Sequence, residues 1–547
     1  MSHVDQIRLQ VMWNRLISVV EEQAMTLLRT AFSTSVREAG DLSAGVYDAR
    51  GAMLAQAVTG TRGHVNTMAE AVGHFLAEIP LADRFPGDTY VTNDPWLATG
   101  HLHDITMVTP VFKDDKLIAY FACTAHVVDV GGRGFGADGK SVYEEGLQIP
   151  IMKFADRGRV NADLVRLLRA NVREANQVVG DFYSLAACND VGRMRLLEML
   201  DEIAMPDLIK LGEFILSRTR TAIMERIAAL PKGRWSNEML TDGYDQPIKL
   251  VAAVSIEAER IHVDFVGSAA MSRWGINCPL IYAKAYACYA IKCVVAPDIP
   301  NNAASLAAID VSSPVNIVNA ERPAPVSLRH VIGHMVPDLV LGALAQALPG
   351  QIQAEGAGAL WNVHLSVRPA PGHSAPGEAG GAGRRAEVLM FNSGGMGARP
   401  TLDGPSATAF PSGVQTMPIE ATEHAGPIVI WRKELRPDSG GDGEYRGGLG
   451  QCIEIAPAEG HEFEFSAMFD RVDTAPAGRA GGLPGEPGRV KLDDGTALRS
   501  KGWQFVPTGR RLVLEAPGGG GYGEPSRRLA EQRADDRRKG YVTDENE

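Results

Sequence analysis

Between residues 92 and 132 the chain reads TNDPWLATGHLHDITMVTPVFKDDKLIAYFACTAHVVDVGG. Two short clusters in it carry side chains suited to chemistry, His101-Leu-His103-Asp104 and His126-Val-Val-Asp129. Imidazole and carboxylate without thiolate suit a divalent ion such as Zn, Mn, Fe or Co. A catalytic ion needs about three protein ligands and one open position. His101, His103, Asp104, His126 and Asp129 offer enough donors for that.

The elements that must bring these clusters together are legible. Ile105 to Phe112 alternates like a strand, Lys113-Asp-Asp-Lys116 is a polar turn, and Leu117 to His126 alternates again. That pattern predicts a β-hairpin. Folded about the Asp114–Asp115 centre, it sets Asp104 opposite Ala125 and His103 opposite His126. Two ligand sets stay open. On a regular strand His101 and His103 share one face and Asp104 points to the other. If the strand begins only at Asp104, Gly100 allows a turn that joins His101 to Asp104 instead.

A second pattern adjoins the first. Gly134 to Ser141 matches GxxxxGK[ST], the phosphate-loop spacing. That motif works only with a strand before it and a helix starting at the Lys. The following text, SVYEEGLQIPIMK, carries Gly146 and Pro150. The expectation is therefore a Gly-rich loop closing over the His/Asp cluster; a helix starting near Lys140 would favour an ATPase. Upstream, Asp41 follows a helix end at Gly40, and His64 reads as a loop histidine. Gly-rich pieces at 392–397, 438–443, 446–450 and 517–523 lack the context of a dinucleotide fingerprint and read as tight turns and packing contacts.

The whole chain sets the limits. Its 547 residues leave room for several domains. With 54 Lys+Arg against 66 Asp+Glu the net charge is −12, which disfavours a nucleic-acid partner. Six scattered Cys, with no CxxC, build no disulfide framework and fit a reducing, cytoplasmic location. The N-terminus lacks the layout of a signal peptide, and no apolar run approaches the ~18 residues of a membrane helix. The expectation is a soluble protein with no membrane partner. The 59 Gly require many tight turns or close backbone approaches.

Along the chain, 5–32 reads as a long amphipathic helix, 41–130 as strands and loops, and 161–229 as helices broken at Pro206. A hairpin is expected over 251–267, and helices at about 280–295 and 331–347. Residues 368–385 read as a flexible loop or linker, 427–431 and 462–468 as short strands, and the last twenty or so as a frayed helix or tail. The sum is a multi-domain α+β fold. Its expected parts are a metal-binding N-terminal block of helices and β-hairpin (1–230), a central α/β block (231–400) and a β-rich, Gly-rich C-terminal part (401–547).

The ordered motifs REAGDLS (37–43), TNDPWLATGHLHDIT (92–106), AHVVDVGG (125–132), EEGLQIP (144–150), VDFVGS (263–268), PDIPNN (297–302), GGMGARPTLDG (394–404), DSGGDGEYRGGLG (438–450) and PGGGGYGEP (517–525) carry a resemblance. The chain resembles the hydantoinase B/oxoprolinase family, which includes the B subunits of ATP-dependent N-methylhydantoinases and the metal-bearing subunits of acetone and acetophenone carboxylases. The resemblance implies an intracellular hetero-oligomer with a hydantoinase A/oxoprolinase-type subunit. That partner would bind ATP and phosphorylate a small cyclic amide or ketone. It implies metal ligands at His101, Asp104 and His126, with Asp41 as a further ligand, and so favours His101 with Asp104. His103 departs from the family pattern and is an extra ligand or a neighbouring base. With Asp129 it is the candidate for acid–base work. Val127 stands where many members have a second His. The function implied is a metal-dependent subunit of an ATP-dependent cyclic-amide hydrolase. The alternatives are the metal-binding subunit of a ketone carboxylase and a non-catalytic assembly subunit with a structural metal.

Overall fold

A computed structural model describes residues 3–358, 360–371 and 385–543. Most of the expected linker at 368–385 lies outside the described residues.

The predicted hairpin sits at the centre of a seven-stranded antiparallel sheet. Its strands are β1 (Leu42–Asp48), β2 (Met53–Gln56), β3 (Thr89–Thr92), β4 (Asp104–Lys113), β5 (Lys116–His126), β6 (Met152–Asp156) and β7 (Arg159–Val160), in the order β2-β1-β5-β4-β3-β6-β7. The turn between β4 and β5 is Asp114–Asp115, both at positive φ (48° and 62°), the backbone of a two-residue I′ hairpin. The register differs from the symmetric expectation. Val111 pairs with Ala119 but Phe112 pairs with Leu117, so Ile118 is an extra residue in β5. That bulge shifts everything beyond it by one position. Asp104, not His103, therefore lies opposite His126.

Both faces of this sheet are covered, so the polar positions of the alternation, Thr106, Thr109 and Thr124, are buried too. Met107, Phe121 and Cys123 face the helices His3–Thr30 and Ala175–Glu202; Val108, Tyr120 and Ala122 face the helix Arg62–Glu78. This last helix corrects the reading of 41–130 as strands and loops only. Val65, Met68, Val72 and Phe75 do recur at helical spacing, but Gly63, Asn66 and Gly73 dilute the signal. The correction matters because His64 lies in the first turn of that helix and not in a loop.

A second sheet orders β8 (Gly233–Thr241), β9 (Ile248–Ile256), β10 (Ile261–Asp264) and β11 (Ile309–Ser312) as β11-β10-β9-β8. The helices Leu280–Val295 and Val336–Ala347 cover it. Helix Leu280–Val295 also packs on Arg62–Glu78 and so joins the two sheets' cores. The remaining strands are β12 (Leu360–Pro369), β13 (Ala386–Ser393), β14 (Ile428–Leu435), β15 (Gln451–Pro457), β16 (His461–Met468), β17 (Arg489–Leu492), β18 (Lys501–Val506) and β19 (Leu512–Glu515). They make two four-stranded sheets, β13-β12-β16-β18 and β14-β15-β19-β17. Val363, Phe465, Ile453 and Leu514 from the two sheets share one core, as in a β-sandwich. The expected α+β class describes this architecture. No helix among the described residues is long and apolar enough to cross a membrane. All six cysteines are free, and only Cys293 is exposed.

The Gly-rich pieces of the C-terminal part have a common use. They lie side by side and bond backbone to backbone: Gly448 N–H to Met396 O, Gly519 N–H to Gly448 O, Gly441 N–H to Gly519 O and Gly395 N–H to Pro517 O. A Cβ at Gly518 would lie 1.7 Å from Ser439 O, and one at Gly395 1.8 Å from Gly448 O. Backbone cannot retreat as a flexible side chain can, so any side chain must push these segments apart. Gly518→Ala is expected to lower stability to chemical denaturation by about 3 kcal/mol or more, at or beyond the upper end of usual overpacking costs. Gly73→Ala, on an exposed helical site with nothing within 4 Å, should instead be stabilising by about 0.5–1 kcal/mol. Equal effects of the two substitutions would refute the packing role.

Candidate metal centre

Strand β4 starts at Asp104, and residues 100–103 form a turn that Gly100 opens at φ 92°. Of the two arrangements left open by the sequence, this is the one that turns His101 toward Asp104. His101 Nε2 lies 2.8 Å from Asp104 Oδ1. The bulged register adds His126 from β5, whose Nδ1 is 3.0 Å from the same oxygen. One ligand atom from each of His101, Asp104 and His126 lies within 4.8 Å of the others, and all three residues are buried.

The Asp104 carboxylate has a full set of cationic or polar neighbours. His64 Nε2 lies 2.8 Å from Oδ2, and the buried Arg329 guanidinium bonds Oδ2 at 2.6 Å. Burial pushes the Asp104 pKa up, but His101, His64 and Arg329 together hold it well below the carboxylate range. His101 is pushed down to about 4 by burial and by Arg329, so its ring is neutral at pH 7. Its tautomer is fixed: Nδ1–H donates to the Ser327 carbonyl at 2.8 Å, because a carbonyl can only accept. The lone pair on Nε2 then faces the Asp104 oxygen. Two acceptors at that separation repel unless a cation lies between or beside them, and this is what a metal-ligating His–Asp pair looks like. The ring nitrogen His126 Nε2 has no hydrogen-bond partner among the described residues. The residues present therefore fit a divalent ion.

The other residues singled out in the sequence fall around this triad. Asp41 is buried on the wall of a small cavity that His101 and His126 also line. Its Oδ1 accepts from Thr61 Oγ at 2.6 Å and lies 3.6 Å from His64 Nδ1. His103 stacks on His126 with centroids 5.5 Å apart, and neither of its ring nitrogens is hydrogen-bonded among the described residues. Asp129 is not brought into the cluster. Its carboxylate accepts from Gly131 N–H at 2.9 Å and pairs with Arg173 at 2.8 Å. With Arg133, Arg173, His364, Glu387 and Trp503 it lines a separate cavity of about 200 Å³.

Between that cavity and the triad stands Phe135. Its ring packs 4.8 Å from His103, 5.1 Å from His126 and 6.0 Å from His101, and its carbonyl meets His364 Nδ1 at 3.4 Å. So the phosphate-loop-like segment does close over the cluster. The helix that follows it directly is a single turn, Val142–Glu145, stopped by Gly146 at φ 149°. No strand leads directly into it either, since β5 ends at His126. Neither half of the phosphate-loop context is present.

Sequence reasoning missed the far wall: Arg329, His330, His334, Asn362 and Phe391, which line a cavity of about 20 Å³ with His101 and His126. The text LRHVIGHMV held the signal, an Arg and two His at i, i+4 inside an otherwise apolar helical stretch.

Residues 5–525 match the model of the family described as Hydantoinase B/oxoprolinase. A putative D-/L-hydantoinase B subunit of Pseudomonas sp. strain NS671 is 28% identical over 99% of this chain and 94% of that protein. The caprolactamase beta subunit of Pseudomonas jessenii is 27% identical over 99% and 95%. 5-Oxoprolinase 1 of Arabidopsis thaliana is 26% identical over 95% of this chain, but the match spans only 42% of that longer protein. Among solved structures, the ATP-dependent caprolactamase from Pseudomonas jessenii matches with a TM-score of 0.86 and 26% identity, over 99% of this chain and 95% of that one. The nucleotide-free acetone carboxylase matches with a TM-score of 0.87 over 98% and 78%; at 18% identity this is likeness of fold.

Proposed function

Because the chain belongs to the hydantoinase B/oxoprolinase family, we propose that it is the metal-dependent subunit of an ATP-dependent cyclic-amide hydrolase. The observation that carries this reading is the convergence of His101, Asp104 and His126, with one atom of each within 4.8 Å of the others. A closed structural zinc site more often has four Cys or His ligands. Here a carboxylate replaces the thiolates and a cavity adjoins the ligands, which supports a working centre over an assembly role.

An amide carbonyl is a poor electrophile, and that is the reason for coupling to ATP. The partner subunit would phosphorylate the amide oxygen, leaving a ring carbon open to attack. When bound by His101, Asp104 and His126, a divalent ion supplies Lewis acidity and lowers the pKa of a water towards ~7. The chain's own residues do the rest. Arg329 keeps Asp104 ionised, and the Ser327 carbonyl keeps the His101 proton on Nδ1. His103, beside His126 and free of hydrogen bonds among the described residues, is the proton acceptor in this reading. Phe135 excludes bulk water from the cluster, which strengthens every charge interaction there.

The 200 Å³ cavity beyond Phe135 is the proposed approach for the ring. Its arginines are already paired with acids, Arg133 with Glu144, Arg173 with Asp129 and Arg385 with Glu387, so it suits a compact polar group. Trp503 offers an aromatic face there. Trp503→Ala should raise KM for the ring substrate about tenfold, the value of one lost aromatic contact, with metal content unchanged. An unchanged KM would remove this cavity from the path.

The reading as a whole is tested by reconstitution. Alone, the chain should open no hydantoin or lactam even with ATP; with the matching A-type subunit, ATP-dependent ring opening should appear. ATP hydrolysis by the chain alone, abolished by Lys140→Ala, would contradict the account. Bicarbonate-dependent carboxylation of a ketone by the same complex would replace it with the carboxylase reading.

A further inference from the structure

The single helical turn after the segment that imitates a phosphate loop ends on Glu145, which no step above uses. Its carboxylate is buried at the join between the first sheet's block and the central block. Oε1 accepts two backbone N–H groups, from Val326 at 2.7 Å and Ser327 at 2.9 Å. The same short segment carries the Ser327 carbonyl to His101 Nδ1 at 2.8 Å and, two residues on, Arg329 to Asp104 at 2.6 Å.

We propose that Glu145 is a positioning residue for the metal ligands. It clamps residues 326–329 so that Ser327 fixes the His101 tautomer and Arg329 reaches Asp104. The inference rests on the metal-centre reading given above. It also gives a use to Gly139 of the phosphate-loop spacing and to Gly275. A Cβ on Gly139 would lie 3.2 Å from Glu145 Cγ, and one on Gly275 3.3 Å from Oε1. These glycines leave room for a glutamate. Gly146 ends the one-turn helix at φ 149°, and no side chain fits there, since a Cβ would meet the Val130 carbonyl at 2.6 Å. The clamp therefore has a defined reach: a single turn of helix delivers the carboxylate, and the chain reverses immediately after it.

The clamp needs an acceptor, not a charge. A glutamine places a carbonyl oxygen at the same reach, whereas alanine leaves two buried N–H groups unpaired. Groups that orient metal ligands typically contribute 10–100-fold to metal affinity.

The test is the dissociation constant of the full-length chain for zinc and for manganese(II), each by competition with a chromophoric chelator. Glu145→Gln should bind within about threefold of wild type and Glu145→Ala about 10–100-fold more weakly. Thermal melting is measured alongside, because a merely structural role would move melting without splitting Gln from Ala in affinity. If Glu145→Ala does not fold, Glu145→Asp carries the comparison; it keeps the carboxyl group, shortens the arm and should also weaken binding. Wild-type affinity in a folded Ala or Asp variant would overturn the inference and leave the metal centre standing. Failure of the wild-type chain to bind either ion would overturn the metal centre itself.

Discussion

His126→Ala should cut ring-opening turnover of the reconstituted complex by about a thousandfold, since a metal's Lewis acidity is worth several kcal/mol of barrier. The size of the effect follows from where His126 sits. It lies directly across the β4–β5 ladder from Asp104 and contributes the third converging ligand. His101 and Asp104 alone fall short of the about three protein ligands of a catalytic ion. Folding should survive, because the backbone of His126 is held by its own N–H bond to Asp41 O and by the strand. The check is the initial rate of ring opening alongside a circular dichroism spectrum. A folded His126→Ala variant with near wild-type rate would make the cluster structural.

The second large effect concerns stability. Arg329→Met should destabilise the chain by about 3–5 kcal/mol, the cost of stranding a buried charge by removing its partner. Arg329 is 4% exposed and Asp104 is fully buried. The guanidinium bonds Asp104 Oδ2 and the Thr99 carbonyl, and it stacks 3.9 Å from the Tyr282 ring centroid. Methionine refills the volume but not the charge. The Asp104 pKa is depressed in the folded state. Its contribution is therefore complete above the unfolded value, about 3.9. It is lost as pH falls through the lower folded value. The wild-type advantage over Arg329→Met, measured by urea denaturation, should be full at pH 7 and shrink only below about pH 4. A loss of less than about 1 kcal/mol, the range of exposed ion pairs, would show that Asp104 is held by its histidines alone.

How far the sequence speaks for this site depends on which forces are local. Alternation and a polar Asp-Asp turn predict the hairpin, and β4 and β5 form it. The long first helix and the helix at 280–295 follow from their own periodicity. The pairing of Asp104 with His126 does not, because one bulge at Ile118 changes the register and nothing local marks it. Helix Arg62–Glu78 is obscured by its glycines, and His64 with it. Arg329 and Ser327 lie more than 200 residues from Asp104 and His101, beyond the reach of any spacing argument. Asp129 shows the converse. It is close in sequence to a strand end beside the cluster, yet Arg173 and the Gly131 amide draw its carboxylate elsewhere. The glycines are legible as close backbone approaches, but the bundle they build at 394–523 needs distant segments all at once.

The most direct test of the metal centre is elemental analysis of the purified chain by mass spectrometry, before any partner or substrate is added. A stoichiometric divalent transition metal is expected in the wild-type chain, with its loss in His126→Ala. A wild-type chain without stoichiometric metal, or a His126→Ala chain that retains it fully, would contradict the metal centre.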